Sequence, residues 1–320
     1  MKDKIKRVID RSLGAGRCDV EARFGEPLAG RCTFGVGGPA ECLLRASGDG
    51  FPDFASALFA LARAEGVPVF PLGGGANTVF PDSGFRGIVL DTGGWVGAER
   101  VGERRIRFRS GTSVDEAVEV AASAGLSGLE FLAGMPGSVG GAAWMNARCY
   151  GRDVAGALCE VEEIDLSGRV PERARRPADP AEFGYKRSPF QRRGSFILSA
   201  SFRLEPRSQA EMRAEMDRLR RDREEKGHYR LPCAGSVFKN DPAHGGPVGR
   251  IVDGLGLRGL RVGGAQVAPW HGNIIVNAGG ATAADVLALA AEVAARVKAA
   301  TGFDLEPEIV FAPGGGGRDA

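Results

Sequence analysis

The chain has 320 residues, 43% hydrophobic and 26% charged, and its 42 Lys and Arg against 40 Asp and Glu leave a net charge of +2. That length suits two or three domains and excludes a single small core. The near-neutral balance gives no argument for a nucleic-acid partner, although arginines in a pocket can still meet a phosphorylated small molecule. With 49 glycines and 18 prolines, many tight turns between short elements are predicted. The six cysteines form no CxxC pair or metal-finger spacing and there are only three histidines, so free thiols in a reducing compartment, and no metal, are expected. The segment MKDKIKRVIDRSLGAG is basic without the apolar core of a signal peptide, and no later run approaches membrane-spanning length. A cytosolic protein with no membrane partner is therefore expected.

From Cys32 the sequence CTFGVGGPAECLLRA reads as a glycine-rich turn at Gly35, Gly37, Gly38 and Pro39 leading into an apolar strand. Phe51 to Glu65 has helical spacing at Phe54, Leu58 and Leu61 and ends at Gly66. A short buried strand, Val67 to Leu72, then runs straight into Gly73, Gly74, Gly75, Ala76 and Asn77. A strand opening into three glycines exposes consecutive backbone N–H groups, which is one way to hold a pyrophosphate without many cations. No Gly-Lys-Ser/Thr ending follows, and the spacing is not GxGxxG opening a helix, so a nucleotide triphosphatase loop and a dinucleotide fingerprint are both excluded.

Gly87 to Asp91 and Arg104 to Arg109 alternate like strands, and Ser113 with Glu116 forms a capping box for a helix through Ala124, closed by Gly125. The stretch from Gly125 to Gly151 carries seven glycines among apolar residues and almost no charge. Glycine collects where backbone must turn through positive φ or lie too close to another surface for a Cβ, and in so apolar a run the surface expected is a large flat ligand. Val161 to Leu166 and Ser195 to Leu204 read as further strands. An α+β region holding a flavin or nucleotide is expected, and a doubly wound sheet is not.

Around Pro206 the composition shifts. Glu211 to Lys226 is a charged helix read mostly as a solvated face. A helix from Ala283 to Ala300 is expected to turn Leu287, Leu289, Val293 and Val297 inward, and FDLEPEIVF is read as a last strand carrying Glu306 and Glu308.

Seven motifs, in this order, resemble the family of UDP-N-acetylenolpyruvoylglucosamine reductases, also called UDP-N-acetylmuramate dehydrogenases. They are TFGVGGPAE, PLGGGANTVF, GLEFLAGMPGSVGGAAWMNA, FGYKRSPF, CAGSVFKN, HGNIIVN and LEPEIVF, and they span nearly the whole chain. Each is moderately specific, but the ordered set is hard to obtain by accident. The resemblance implies an N-terminal extension over residues 1–31 and an FAD-binding region of the vanillyl-alcohol oxidase (PCMH) type, in two subdomains, over 32–205. A C-terminal α/β substrate-binding domain over 206–312 and a disordered tail over 313–320 complete the expected layout.

In that picture Gly73, Gly74, Gly75, Ala76 and Asn77 cradle the pyrophosphate of FAD, and Gly134, Pro136, Gly137, Ser138, Gly140, Gly141 and Asn146 lie along the flavin. NADPH is the hydride donor, and the substrate is a small molecule, the enolpyruvyl ether of a UDP-sugar. Ser236 matches the family's proton donor and Glu308 its catalytic glutamate. Tyr185, Lys226, Lys239 and Asn240 are expected to hold substrate, and His271 to be structural.

The family's third catalytic residue is an arginine directly after the tyrosine of a Tyr-Arg-x-Ser motif, whereas this chain reads Tyr185, Lys186, Arg187, Ser188. Lysine offers a carboxylate a point charge where arginine offers a planar fork, so Lys186 and Arg187 both remain candidates; strand alternation is expected to admit only one. Ala76 stands where the family usually has serine, and Arg148 and Cys149 replace small residues. The short interval from Tyr185 to Ser236 resembles the family's compact class. Two other readings stay open: a flavin-linked oxidase of another small molecule, and a weakened paralogue that binds flavin or UDP-sugar. The sequence names no oligomeric state.

Overall fold

The computed structural model describes residues 1–15 and 17–313. They fall into two compact units, the first comprising Met1–Phe24, Cys42–Gly74 and Gly87–Arg221, the second Gly25–Glu41, Gly75–Arg86 and the chain from Asp222 onward. From residue 314 the tail expected to be disordered lies outside the described residues.

The first unit holds two hydrophobic cores. In one, the helix Lys2–Leu13 buries Ile5, Val8 and Ile9 against the helix Phe51–Glu65, so residues 1–13 contribute core side chains. The second helix follows its predicted bounds, starting with Pro52 in its first turn and stopping at Gly66, whose N–H returns to the carbonyls of Ala62 and Arg63. A four-stranded sheet lies beside it in the order Asp19–Pro27, Pro39–Ser47, Phe85–Asp91, Val69–Leu72, the last two parallel. The expected buried strand is in fact this edge strand: it begins at Val69, and only Leu72 is fully buried. Pro71, which cannot donate to a ladder, is tolerated there for that reason.

The other core packs the helix Val114–Ser123 against an antiparallel five-stranded sheet, Glu172–Pro177, Leu158–Asp165, Phe196–Arg203, Arg105–Arg109 and Ala98–Gly102 in that order. Its central strand Phe196–Arg203 is buried on both faces through Phe202, which explains its unbroken run of apolar and small residues. Ser113 accepts from the N–H of Glu116 at the start of that helix, the serine half of the expected capping box.

In the second unit an antiparallel sheet runs Cys233–Ser236, Ile274–Asn277, Ala265–Val267, Arg261–Val262, covered by the helix Ala283–Thr301. That helix opens on a full capping box between Thr282 and Asp285. The Asp82 carboxylate also accepts from the N–H groups of Ala283 and Ala284 at 2.8 and 2.9 Å. Leu289, Val293 and Val297 are buried as expected, whereas Leu287 is 53% exposed and Val286 and Ala290 face inward instead, because the 100° turn per residue carries position 287 off the stripe. The last predicted strand is shorter than expected. Only Val310–Phe311 pairs, parallel to Thr78–Val79, since Pro307 has no N–H and makes an isolated bridge with Phe238.

Candidate active site

Two glycine segments of the first unit press together. A Cβ on Gly74 would lie 2.6 Å from the Cα of Gly137, and one on Gly73 would lie 2.3 Å from the Ser138 hydroxyl. Backbone contact this close is open only to glycine. The Gly134–Gly141 segment is pinned from behind: the Asp115 carboxylate accepts from the N–H of Gly134 at 2.8 Å. Val114 N–H donates to Gly137 O, Val139 N–H to Thr112 O and Gly140 N–H to Ser110 O. Among the described residues, the N–H groups of Gly74, Gly137 and Ser138 have no protein acceptor. A rigid, side-chain-free surface with spare backbone donors fits an anionic, planar group such as FAD.

The expected cradle residues are not equivalent. Gly74, Pro136 and Gly141 are exposed, whereas Gly140 and Ser138 are buried. The Ser138 hydroxyl caps the helix Val139–Trp144 by accepting from Gly141 N–H, and a Cβ on Gly140 would meet Ser110 at 2.7 Å. In the second unit Gly75, at φ 61, backs onto Arg31 with no room for a Cβ, while Ala76 is half-buried.

Asn146, 1% exposed and at φ 43, presents no surface to a ligand. Its Oδ1 accepts from Ala155 N–H at 3.0 Å and its Nδ2 donates to Gly184 O at 2.9 Å. The expected flavin contact thus becomes a brace between the glycine stretch and the segment carrying Lys186. That segment is a tight turn: Gly184 and Arg187 exchange N–H to carbonyl bonds at 3.0 and 3.1 Å, and Lys186 takes φ 55. Strand alternation therefore does not choose between the two cations. Lys186 is half-buried and Arg187 exposed. Ser188 donates to Trp144 O at 2.6 Å, and Gln191 Nε2 reaches Trp144 O at 2.9 Å and Lys186 O at 3.4 Å. The Arg148 guanidinium lies 5.7 Å from the Tyr185 ring centre.

In the second unit Gly235, at φ 72, sits in a register break between Cys233 and Ser236, a bulge that re-aims the serine at the strand end. Past it, Val237 N–H donates to Asn273 O, and the Asn273 side chain bonds both the N–H and the carbonyl of Phe238. Glu308 N–H donates to Val237 O at 2.7 Å and Lys239 N–H to Glu306 O at 2.8 Å. Ser236 and Glu308, 72 positions apart in sequence numbering, thus come to neighbouring segments.

Glu306 is exposed and forms a 2.6 Å ion pair with Lys239, whereas Glu308 is half-buried. Lys226 pairs with Asp222 at 2.7 Å, and Asn240 Oδ1 accepts from Val248 N–H at the start of the helix Val248–Gly254. His271 accepts from Asn273 N–H through Nδ1, the structural role expected. Asn273 and Gln191 were not singled out in the sequence, although Asn273 lies inside the HGNIIVN motif.

All six cysteines are free thiols. Among the described residues no helix is long and apolar enough to cross a membrane.

The family model for the C-terminal domain of UDP-N-acetylenolpyruvoylglucosamine reductase matches residues 227–312, and the model for an FAD binding domain matches 53–170. The UDP-N-acetylenolpyruvoylglucosamine reductase of Treponema denticola is 38% identical over 302 residues, covering 90% of this chain and 93% of its own. That of Geobacter sulfurreducens is 37% identical over 299 residues, covering 92% and 96%. The crystal structure of the enzyme from Thermus caldophilus superposes with a TM-score of 0.73 at 34% identity, over 92% of this chain and all of the other. With relatives this similar along nine-tenths of its length, the chain belongs to the UDP-N-acetylenolpyruvoylglucosamine reductase family.

Proposed function

We propose that this chain reduces UDP-N-acetylglucosamine enolpyruvate to UDP-N-acetylmuramate with NADPH, in the cytoplasm, as a step of peptidoglycan precursor synthesis. The observation that carries the reading is the 2.7 Å bond from Glu308 N–H to Val237 O, which sets Ser236 and Glu308 on adjacent segments. The FAD-binding match over 53–170 and the glycine surface of Gly74 and Gly137 support the cofactor.

FAD bound there would supply two-electron chemistry, linking NADPH as hydride donor to the outer carbon of the enolpyruvyl double bond. The protein's tasks are electrostatic and acid–base. Negative charge develops on the inner carbon and its carboxylate, and we assign its stabilisation to Lys186, the half-buried cation of the pair. The alternative, Arg187, is the more exposed of the two. Ser236 gives its hydroxyl proton to the inner carbon, and Glu308 assists as an acid beside it. Tyr185, Lys226, Lys239 and Asn240 hold substrate, the two lysines offering it positive charge.

An anaerobic two-step experiment tests this. NADPH is expected to bleach the bound flavin, and added UDP-N-acetylglucosamine enolpyruvate to restore the oxidised spectrum promptly. A flavin that stays reduced, or a protein that cannot be loaded with FAD, would overturn the reading.

A further inference from the structure

Asn77 ends the glycine loop, where the family resemblance assigns it to the cofactor. Its own bonds point elsewhere. The side-chain Nδ2 donates to the carbonyl of Glu308 at 2.9 Å, across 231 positions of sequence. Its backbone carbonyl accepts from Val310 N–H at 2.9 Å. One residue therefore brackets the segment Glu308–Val310. The opposite edge of Glu308 is held by its N–H on Val237 O, so both peptide groups flanking the Glu308 side chain are fixed. Of these bonds only the one from Asn77 Nδ2 comes from a side chain. Gly75, against Arg31 and with its carbonyl accepting from Thr33 N–H at 3.1 Å, anchors the loop two residues earlier.

We propose that Asn77 is a positioning residue for Glu308, fixing the backbone from which the assisting carboxylate projects, and not primarily a cofactor contact. The inference rests on the acid role given to Glu308 above. A carboxylate that must meet a proton path within hydrogen-bond range loses its effect when its backbone drifts, and a misplacement of about 1 Å can cost on the order of 10²-fold. Leucine matches asparagine in size and removes the donor, so Asn77→Leu isolates that bond.

The test compares the parent protein, Asn77→Leu, Glu308→Gln and the double variant. Flavin reoxidation by UDP-N-acetylglucosamine enolpyruvate is followed by stopped flow at saturating FAD, FAD affinity by fluorescence, and amide exchange over residues 305–312 by mass spectrometry in the absence of substrate. Asn77→Leu is expected to slow reoxidation roughly 10–100-fold with substrate affinity changed less than about threefold, to raise exchange over 305–312, and to add no loss in the Glu308→Gln background. Asn77→Ser, which keeps a short donor, is expected to recover part of the rate and guards against an unfolded leucine variant. Equal losses in both backgrounds, or a defect confined to FAD affinity, would overturn the proposal. Should the parent itself fail to be reoxidised, the functional reading is at fault, and unchanged exchange in Asn77→Leu would then separately refute the pinning of Glu308.

Discussion

Glu308 donates its backbone N–H to the carbonyl of Val237 at 2.7 Å, placing the family's glutamate across from the residue that follows Ser236. A serine hydroxyl is a weak acid; the donor role proposed for Ser236 requires a strongly basic substrate carbon and a hydroxyl held in place, and the Gly235 bulge fixes the backbone from which it starts. Ser236→Ala should leave FAD bound and reducible by NADPH while slowing its reoxidation by substrate ~10²–10⁴-fold, the usual worth of a positioned proton donor. Stopped-flow absorbance reads both half-reactions, and an unchanged second phase would remove Ser236 from the mechanism.

What the sequence made legible was mostly local. The helix Phe51–Glu65 keeps its predicted bounds because apolar spacing, Pro52 and Gly66 all act within the helix itself. The close backbone packing at Gly73, Gly74 and Gly75 was legible from the glycine run itself. Distant bonds were not. Asn77 and Asn146 read as cofactor residues, yet their amides reach Glu308 and Gly184, partners 231 and 38 positions away. Lys186 and Arg187 lie in a turn where side chains do not alternate as in a strand, and nothing in Gly-Tyr-Lys-Arg announces a lysine at positive φ.

That left-handed lysine bears on the choice of cation. A non-glycine residue at φ 55 is uncommon and is kept where surrounding bonds over-determine it, as Asn146 and Gln191 do here. Lys186→Ala should cut substrate-driven reoxidation by roughly 10²-fold, comparable to losing one oxyanion donor, while Arg187→Ala stays within about threefold. The reverse ranking in the same assay would hand the role to Arg187.

The glycine surface offers a test independent of substrate. In Gly74→Ala the new methyl would meet Gly137 backbone at 2.6 Å, and backbone cannot swing away as a side chain can. The two segments should part, and FAD affinity, measured by fluorescence quenching on reconstitution, should fall at least about tenfold, since backbone donors must stay aligned to hold an anion. Gly30→Ala, with nothing within 4 Å of its Cβ and no positive φ, is the matched control. Equal affinity in the two variants would mean that the cofactor does not depend on this contact.

Acid stability should report on His228. Burial lowers its pKa to about 4, helped by the charges of Arg223, His271 and Lys226 and opposed by Asp222. Above the ordinary histidine value near 6.5 the ring is neutral in both folded and unfolded chains and adds no pH dependence. As pH falls through that value the unfolded chain takes up a proton that the folded one refuses, so stability drops, and the loss is complete once pH is below about 4. With solvent screening of the half-buried ring allowed for, melting curves between pH 7 and pH 5 should show a fall roughly 2–4 °C larger in the parent than in His228→Gln, the shift about 1 kcal/mol produces in a protein of this class. Parallel falls in the two proteins would show that His228 already accepts its proton in the folded state.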